Sequence, residues 1–415
     1  MSAAKKKTSP NQTKQPSTAA MALPVPGFRY AGVRCGVKKA GLDLCLIATE
    51  QPASIAGVFT TSTIVGAPVD WCRALAKKGR AHGVVVNSGI SNVAMGARGK
   101  RDAAAMAAAG AKALGCKTDE VFIASTGVIG EPLPMAKIRR GISDAAGKLA
   151  EAGIENAAEA ICTTDTFAKI ASVTTTIDRK RVTVSGMAKG SGMIEPNMAT
   201  MLSFITTDAA ASPAYLRGLL KRVADQTYNR VTIDGEGSTS DTVLLLANGV
   251  AGNAMLRSAK NTGAARFEAA VLEVATRLSQ MLARDGEGAT KLVTVSVTGA
   301  ANPKQAEHAA RRIANSMLVK TAIFGRDPNW GRILQTIGAG QVKVNLPKVE
   351  VKLCGVPVFR AGASAGTAAR KRAEAKLVSD EIAIDVHLAA GRSATRIWTC
   401  DLSYDYVRIN AEYTT

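Results

Sequence analysis

Histidine is scarce in this sequence: three residues in 415, at His82, His308 and His387. A Ser-His-acid site must recruit one of them. The single nucleophile-elbow-like match is "GASAG", Gly362 to Gly366, which would pair Ser364 with Asp385 and His387. Those two lie on one short strand-like run with one residue between them, so the segment reads as a Gly-rich strand-to-helix turn. The seven cysteines are dispersed, odd in number and never in CxxC spacing. That excludes a disulfide framework and a zinc ribbon, and reads as reduced thiols in a cytoplasmic protein. No apolar run is long enough to span a membrane, and the first ~20 residues lack the hydrophobic block of a secretory signal. No P-loop occurs and no GxGxxG follows a strand-like run. No clustered metal-ligand spacing is present, and "DGEGSTSD" (Asp234 to Asp241) lacks the calcium-hand pattern, so it reads as an acidic turn.

Acidic residues are absent from positions 1–42, where eight lysines and arginines stand. The net charge is +20, which leaves +12 (20 minus 8) for the body. With aromatics at 4% and no finger spacing, RNP-like stretch or basic zipper, the charge fits attraction of small anionic substrates rather than nucleic acid. A hydrophobic content of 47% and a charged content of 21% describe a globular chain. Its length suits two domains, or one large domain with an appended lobe.

Short β-like runs alternate with Ala-rich helical ones. "GLDLCLIAT" and "SIAGVFTTS" read as paired strands, and "GVVVNSG" and "EVFIASTGVIG" as buried strands entering turns. "GKRDAAAMAAAGAKALG" is helical, with Gly115 beyond its end. A hairpin is expected around Asp178-Arg179. Two amphipathic helices cover "SPAYLRGLLKRVADQ" and "ARFEAAVLEVATRLSQMLARDG". "NPKQAEHAARRIANSMLVKTAIFG" reads as one helix with Pro303 in its first turn. Residues 343–389 follow a strand, strand, helix, strand order, and the chain then runs through a last strand into a polar tail.

A protein poor in histidine can still form an acyl-transfer nucleophile, because a chain-terminal Thr carries its own amine as base. "KGSGMIEPNMATMLSFITTDA" (Lys189 to Ala209) has the turn residues Gly190, Gly192 and Pro196, then the small pair Ala199-Thr200 before an apolar run. Cleavage before Thr200 would need an oxyanion stabiliser, and the Thr126 hydroxyl with the Gly127 N–H in "STGVIG" is the candidate. From spacing alone, a Thr that merely enters a buried strand is by far the commoner explanation of the segment.

Six segments occur in one order: "ASTGVIGEPLPM", "TTDTFAK", "MAKGSGMIEPNMATML", "RDGEGATK", "FGRDPNWGRI" and "CDLSYDYVRINAEYTT". Together they closely resemble the ornithine acetyltransferase (glutamate N-acetyltransferase) family of arginine biosynthesis, over roughly residue 23 to the end. The resemblance implies a layered αββα-type α/β fold related to self-cleaving aminopeptidases, with a smaller α+β lobe. Residues 1–22, basic and rich in Ser, Thr and Pro, read as a disordered tail ahead of the resembling stretch. The resemblance implies an α chain (23–199) and a β chain whose main-domain part (200–288) precedes the lobe (289–395) and a C-terminal segment returning to the site (396–415). Self-cleavage between Ala199 and Thr200 would free Thr200 to take acetyl from N-acetylornithine and pass it to glutamate. Thr126 and Gly127 would form the oxyanion hole. Thr163, Lys189, Thr200, Glu287, Asn410 and Thr415 would bind substrate. No cofactor or metal is implied, and use of acetyl-CoA as a second donor stays open. The implied partners are the α and β chains of one precursor, as α2β2, with no nucleic acid and no membrane. The alternative is a self-processing amidase or aminopeptidase on the same scaffold. Two segments depart from the family pattern: "ISNVAMG" after Asn87-Ser88-Gly89, and "DGEGSTSD" with Glu236, Gly237 and Ser240.

Overall fold

The computed structural model describes residues 22–195 and 201–412. The basic tail, Ala199, Thr200 and Thr415 therefore lie outside the described residues.

Two sheets organise the chain. The first holds β1 (Phe28–Val33), β2 (Leu44–Phe59), β3 (Arg80–Ile90), β4 (Val121–Val128), β5 (Lys169–Ile177), β6 (Lys180–Lys189), β7 (Leu202–Thr207) and β8 (Thr242–Ala247). Its order is β4-β3-β2-β8-β7-β6-β5, with β1 pairing β2 besides. The second holds β9 (Leu292–Ala300), β10 (Glu350–Leu353), β11 (Val356–Arg360), β12 (Ala363–Ser364), β13 (Glu381–His387) and β14 (Ser393–Cys400), in the order β12-β11-β10-β13-β9-β14. The helices are α1 (Ala67–Ala76), α2 (Gly96–Leu114), α3 (Met135–Ala146), α4 (Ile154–Ile161), α5 (Pro213–Gln226), α6 (Ala264–Arg284), α7 (Pro303–Asn315), α8 (Met317–Phe324), α9 (Trp330–Ala339), α10 (Thr367–Lys376) and α11 (Tyr404–Glu412). None is long and apolar enough to cross a membrane.

β7 and β8 are buried along their whole length, as strands covered on both faces must be. Phe204 and Leu244 join the core that holds Met106 of α2 and Ile138 of α3. Ile205 and Leu245 join the core that holds Leu219 of α5 and Leu278 of α6. The second sheet packs its own core against α7 and α10, through residues such as Val295, Ile313 and Ala373.

The two runs expected to pair with each other are instead one 16-residue strand, β2. Glu50-Gln51-Pro52 offers no turn. Between Ala48↔Gly83 and Ala53↔Ala81 the register against β3 shifts, so Thr49 to Pro52 stand opposite a single residue. Pro52, which has no N–H, sits at this irregularity and costs no β3 ladder bond. Leu44–Ala48 pairs with β1 and β3, whereas Ser54–Phe59 pairs with β8. β2 thereby carries the chain from one β layer to the next. The Tyr30 and Thr206 hydroxyls join the layers by a buried hydrogen bond of 2.7 Å. With helices outside both, the layered α/β arrangement is as expected.

The hairpin turns at Asp178 (φ 48°) and Arg179 (φ 63°), the left-handed pair of a type I′ turn. The single helix expected over 303–324 is two. Ser316 is extended, at φ −68° and ψ 109°, and its hydroxyl accepts from Val319 N to start α8. The expected polar tail is helical as α11. Ser403 Oγ donates to Gly288 O at 2.6 Å and accepts from Asp405 N, pinning the helix start beside the Asp285–Gly288 loop.

Candidate active site

The ends of β4, β6, β7 and β8 meet the loops around 163 and 287 at a cavity of about 350 Å³, a volume suited to a small metabolite. Thr126, Gly127, Thr163, Lys189, Glu287 and Asn410 all line it. Met201, the residue after Thr200, lines it too. Thr200 itself, Ala199 and Thr415 fall outside the described residues.

Lys189 ends β6 opposite Leu202 of β7 and is 8% exposed. Its Nζ donates to Thr163 Oγ1 at 2.9 Å and to Thr126 Oγ1 at 3.3 Å. No carboxylate lies within ion-pair distance of it among the described residues, so its charge is open to an anionic ligand in the cavity. Gly127 follows Thr126 along β4 and pairs with Gly89 of β3. Its φ is +125°, and a Cβ there would stand 2.3 Å from the Gly89 carbonyl carbon. Only glycine allows this close backbone approach beside the cavity.

Glu287 comes from the other side. Its N–H donates to Ser191 O at 2.7 Å, and Asn410 Nδ2 of α11 donates to Glu287 Oε2 at 2.8 Å. The carboxylate lies against Gly192, where an added Cβ would come within 2.4 Å of it. The cavity therefore presents the Lys189 ammonium and the Glu287 carboxylate together with the Thr126 and Thr163 hydroxyls.

Sequence reasoning passed over two acids of the "DGEGSTSD" segment, which proves to be cavity wall rather than a free turn. Asp234 accepts from Met193 N at 2.6 Å and Ile194 N at 2.8 Å, fixing the loop after Lys189. Asp241 is buried, and burial pushes its carboxyl well above the usual range. A Ser238 hydroxyl bond, the Lys189 charge and the Met201 amide offset this only in part. The acid-and-Gly composition was the available signal, but only the parallel β7–β8 register, Leu202↔Thr242, brings Asp241 beside Met201. The second departing segment reaches the cavity through Ser91.

No histidine lines the cavity. The His82 ring bonds Glu120 at 3.0 Å, His308 bonds Gly340 O at 2.8 Å and His387 bonds the Thr298 hydroxyl at 3.0 Å. Ser364 Oγ accepts from Gly366 N. Among the described residues one three-donor group, His82, Cys116 and Glu120, gathers its ligand atoms within 4.8 Å in a separate basic hollow. Glu120 is already bonded there by Arg80 at 2.7 Å and by His82, an arrangement ill suited to a cation.

A sequence model of the ArgJ family matches residues 29–415. The arginine biosynthesis bifunctional protein ArgJ of Geobacter sulfurreducens is 44% identical over 394 residues, covering 94% of this chain and 100% of that one. The ArgJ of Bradyrhizobium diazoefficiens is 44% identical over 393 residues, covering 92% and 95%. A crystal structure of the ArgJ of Bacillus halodurans is 42% identical with a TM-score of 0.50, and covers 52% of this chain and 100% of that chain. With the match running from β1 to the last residue and through every segment of the cavity, the chain belongs to the ArgJ family.

Proposed function

We propose that this chain is a glutamate N-acetyltransferase of arginine biosynthesis, moving acetyl from N2-acetylornithine to glutamate after cleaving itself between Ala199 and Thr200. The observation that carries this reading is the presence of Lys189 and Glu287 in one cavity with Thr126, Gly127 and Met201. An amino-acid substrate has an α-carboxylate for Lys189 and, in ornithine, a side-chain ammonium for Glu287. Asn410 steadies Glu287, and Thr163 orients the Lys189 ammonium.

In the cleavage step Thr200 Oγ attacks the Ala199 carbonyl. The C–N bond breaks, the nitrogen takes a proton, and an ester remains. Water hydrolyses the ester and leaves the Ala199 carboxylate. The new α-amine then serves as base. Thr200 Oγ attacks the acetyl carbonyl, its proton passes through the amine to the departing ornithine nitrogen, and an acetyl ester forms. The glutamate amine attacks that ester, restoring the hydroxyl and giving N-acetylglutamate. The Thr126 hydroxyl and the Gly127 N–H face the developing oxyanion in each addition. The cycle needs no cofactor or metal, and it leaves room for acetyl-CoA as another donor to Thr200.

The Bacillus halodurans chain supports a two-chain product: it matches along its whole length yet covers 52% of this chain, and Thr200 to Thr415 is 216 of 415 residues, also 52%. We further propose that two such αβ pairs assemble as α2β2 in the cytoplasm.

Denaturing mass spectrometry with an acetyl-transfer assay tests the proposal. The wild-type chain should give two fragments meeting at Ala199/Thr200, and Thr200→Ala one intact chain. Purified enzyme should move acetyl from N-acetylornithine to glutamate. An intact, inactive wild-type chain overturns the proposal, and hydrolysis without transfer makes the protein an amidase.

A further inference from the structure

Beneath the cavity lies a fully buried ion triad. Lys169 opens β5 and its side chain is 0% exposed. Its Nζ donates to Asp165 Oδ1 at 2.6 Å and to Asp285 Oδ2 at 2.5 Å. The Asp165 and Asp285 side chains are 0% and 2% exposed. Desolvation of this depth is costly and is repaid only where further hydrogen bonds satisfy the paired ions, so a burial of three charges is poorly explained by stability alone.

Their other bonds supply a further reason. Asp165 Oδ1 also accepts from Gly190 N at 2.6 Å, and Oδ2 from Thr163 N at 3.0 Å. Gly190 follows Lys189, and Thr163 carries the hydroxyl that holds the Lys189 ammonium. Asp285 accepts from Thr166 N at 3.1 Å and from the Thr166 hydroxyl, and it stands two residues before Glu287. Across the top, Thr164 Oγ1 and Ser191 Oγ bond at 2.6 Å. Asp165 is thus tied to the cation of the cavity and Asp285 to its anion.

Burial alone would drive the Lys169 pKa down, but Asp165 and then Asp285 outweigh it and hold the ammonium protonated. Burial likewise acts to raise Asp165, yet the Lys169 and Lys189 charges carry it below the usual range. Asp285 stays above that range because desolvation exceeds what Lys169 returns.

We propose that Lys169 is a positioning residue that sets the spacing between Lys189 and Glu287, and through it the length of amino-acid side chain the cavity accepts. The inference rests on the proposed roles of Lys189 and Glu287 as readers of the two substrate ends. Asp165 and Lys169 precede the Ala199/Thr200 bond and Asp285 follows it, so the triad also clasps the two fragments that cleavage would produce.

The test compares kcat/KM for N-acetylornithine with kcat/KM for N2-acetyl-lysine, one methylene longer, using the full processed enzyme. The ratio is independent of the folded fraction, so a merely structural loss leaves it unchanged. A fixed spacing should give the wild type about 10- to 200-fold discrimination. Asp285→Asn keeps Lys169 paired with Asp165 and leaves no unpaired buried charge, yet takes away the carboxylate by which Lys169 holds the Glu287 loop, so its ratio should fall toward unity. Lys169→Met should show the same fall in whatever fraction folds, and Lys169→Arg should recover part of the ratio. A wild-type ratio retained in Asp285→Asn overturns the positioning role, as does a wild-type enzyme that transfers acetyl without regard to length. A wild type with no transfer at all instead overturns the proposed function.

Discussion

Replacing Thr126 by Val keeps the side-chain shape and the strand preference of β4 and deletes one hydroxyl. In the resting site that hydroxyl is a minor partner. It accepts from Lys189 Nζ at 3.3 Å, while Thr163 takes the same ammonium at 2.9 Å. Losing a long bond whose donor keeps a better acceptor costs about 1 kcal/mol or less. At the transition state the same hydroxyl would be one of two donors to the oxyanion, beside the Gly127 N–H. Removing one such donor typically lowers kcat about 10²- to 10³-fold, or about 2.7–4 kcal/mol. The two magnitudes differ enough to separate the roles. The assay is steady-state formation of N-acetylglutamate, with kcat normalised to cleaved chain counted by denaturing mass spectrometry, since the same donor would slow self-cleavage. Thermal unfolding in parallel should show a midpoint within a few degrees of wild type. Thr126→Ser, which restores the hydroxyl, should recover most of the rate. A well-folded, fully cleaved Thr126→Val enzyme with kcat within about threefold of wild type would refute the oxyanion assignment.

Lys189→Met should raise KM for glutamate by about 10- to 100-fold, as expected for losing one charge-assisted hydrogen bond to a carboxylate, with a smaller change in kcat. An unchanged KM would place the substrate carboxylate elsewhere. Asp165→Asn leaves Lys169 paired with Asp285 but removes the carboxylate that holds Gly190 N and Thr163 N, so it should lower stability at neutral pH and flatten the acid limb of the stability profile. The sign follows from the depressed folded pKa of Asp165: its stabilisation is present above the unfolded value near 3.9 and is lost as pH falls through the folded one. Urea titrations between pH 2.5 and 7 would read this, and a variant with an unaltered acid limb would contradict it.

The parts of this molecule legible in the sequence are those whose cause is local. The Gly115 stop of α2, the left-handed Asp178-Arg179 hairpin and the amphipathic stripe of α6 each depend on residues a few positions apart. The reading failed where a distant partner decides. Nothing near Glu50-Gln51-Pro52 says that β2 continues, because its two halves are held by β1, β3 and β8 rather than by each other. Nor does "CDLSYDYVRINAEYTT" announce a helix, because α11 is anchored through Ser403 to Gly288, 115 positions earlier.

The site divides in the same way. Thr126, Gly127, Lys189, Glu287 and Asn410 could be named from ordered segments, but their meeting is a property of strand register. Lys189 and Thr126 stand on β6 and β4, which the strand order β4-β3-β2-β8-β7-β6 separates by four strands, so no spacing in the sequence shows that they meet. Asp241 illustrates the cost of reading without register: in "DGEGSTSD" it is one acid among three, and only the parallel pairing of β7 with β8 buries it beside Met201. The Lys169 triad is less legible still. Asp165 and Lys169, four apart, could be a surface pair; what makes them structural is the third member, Asp285, 116 positions beyond Lys169. A buried charge is invisible in a sequence because its meaning lies in the partner that neutralises it, and here that partner arrives from the far side of the Ala199/Thr200 position.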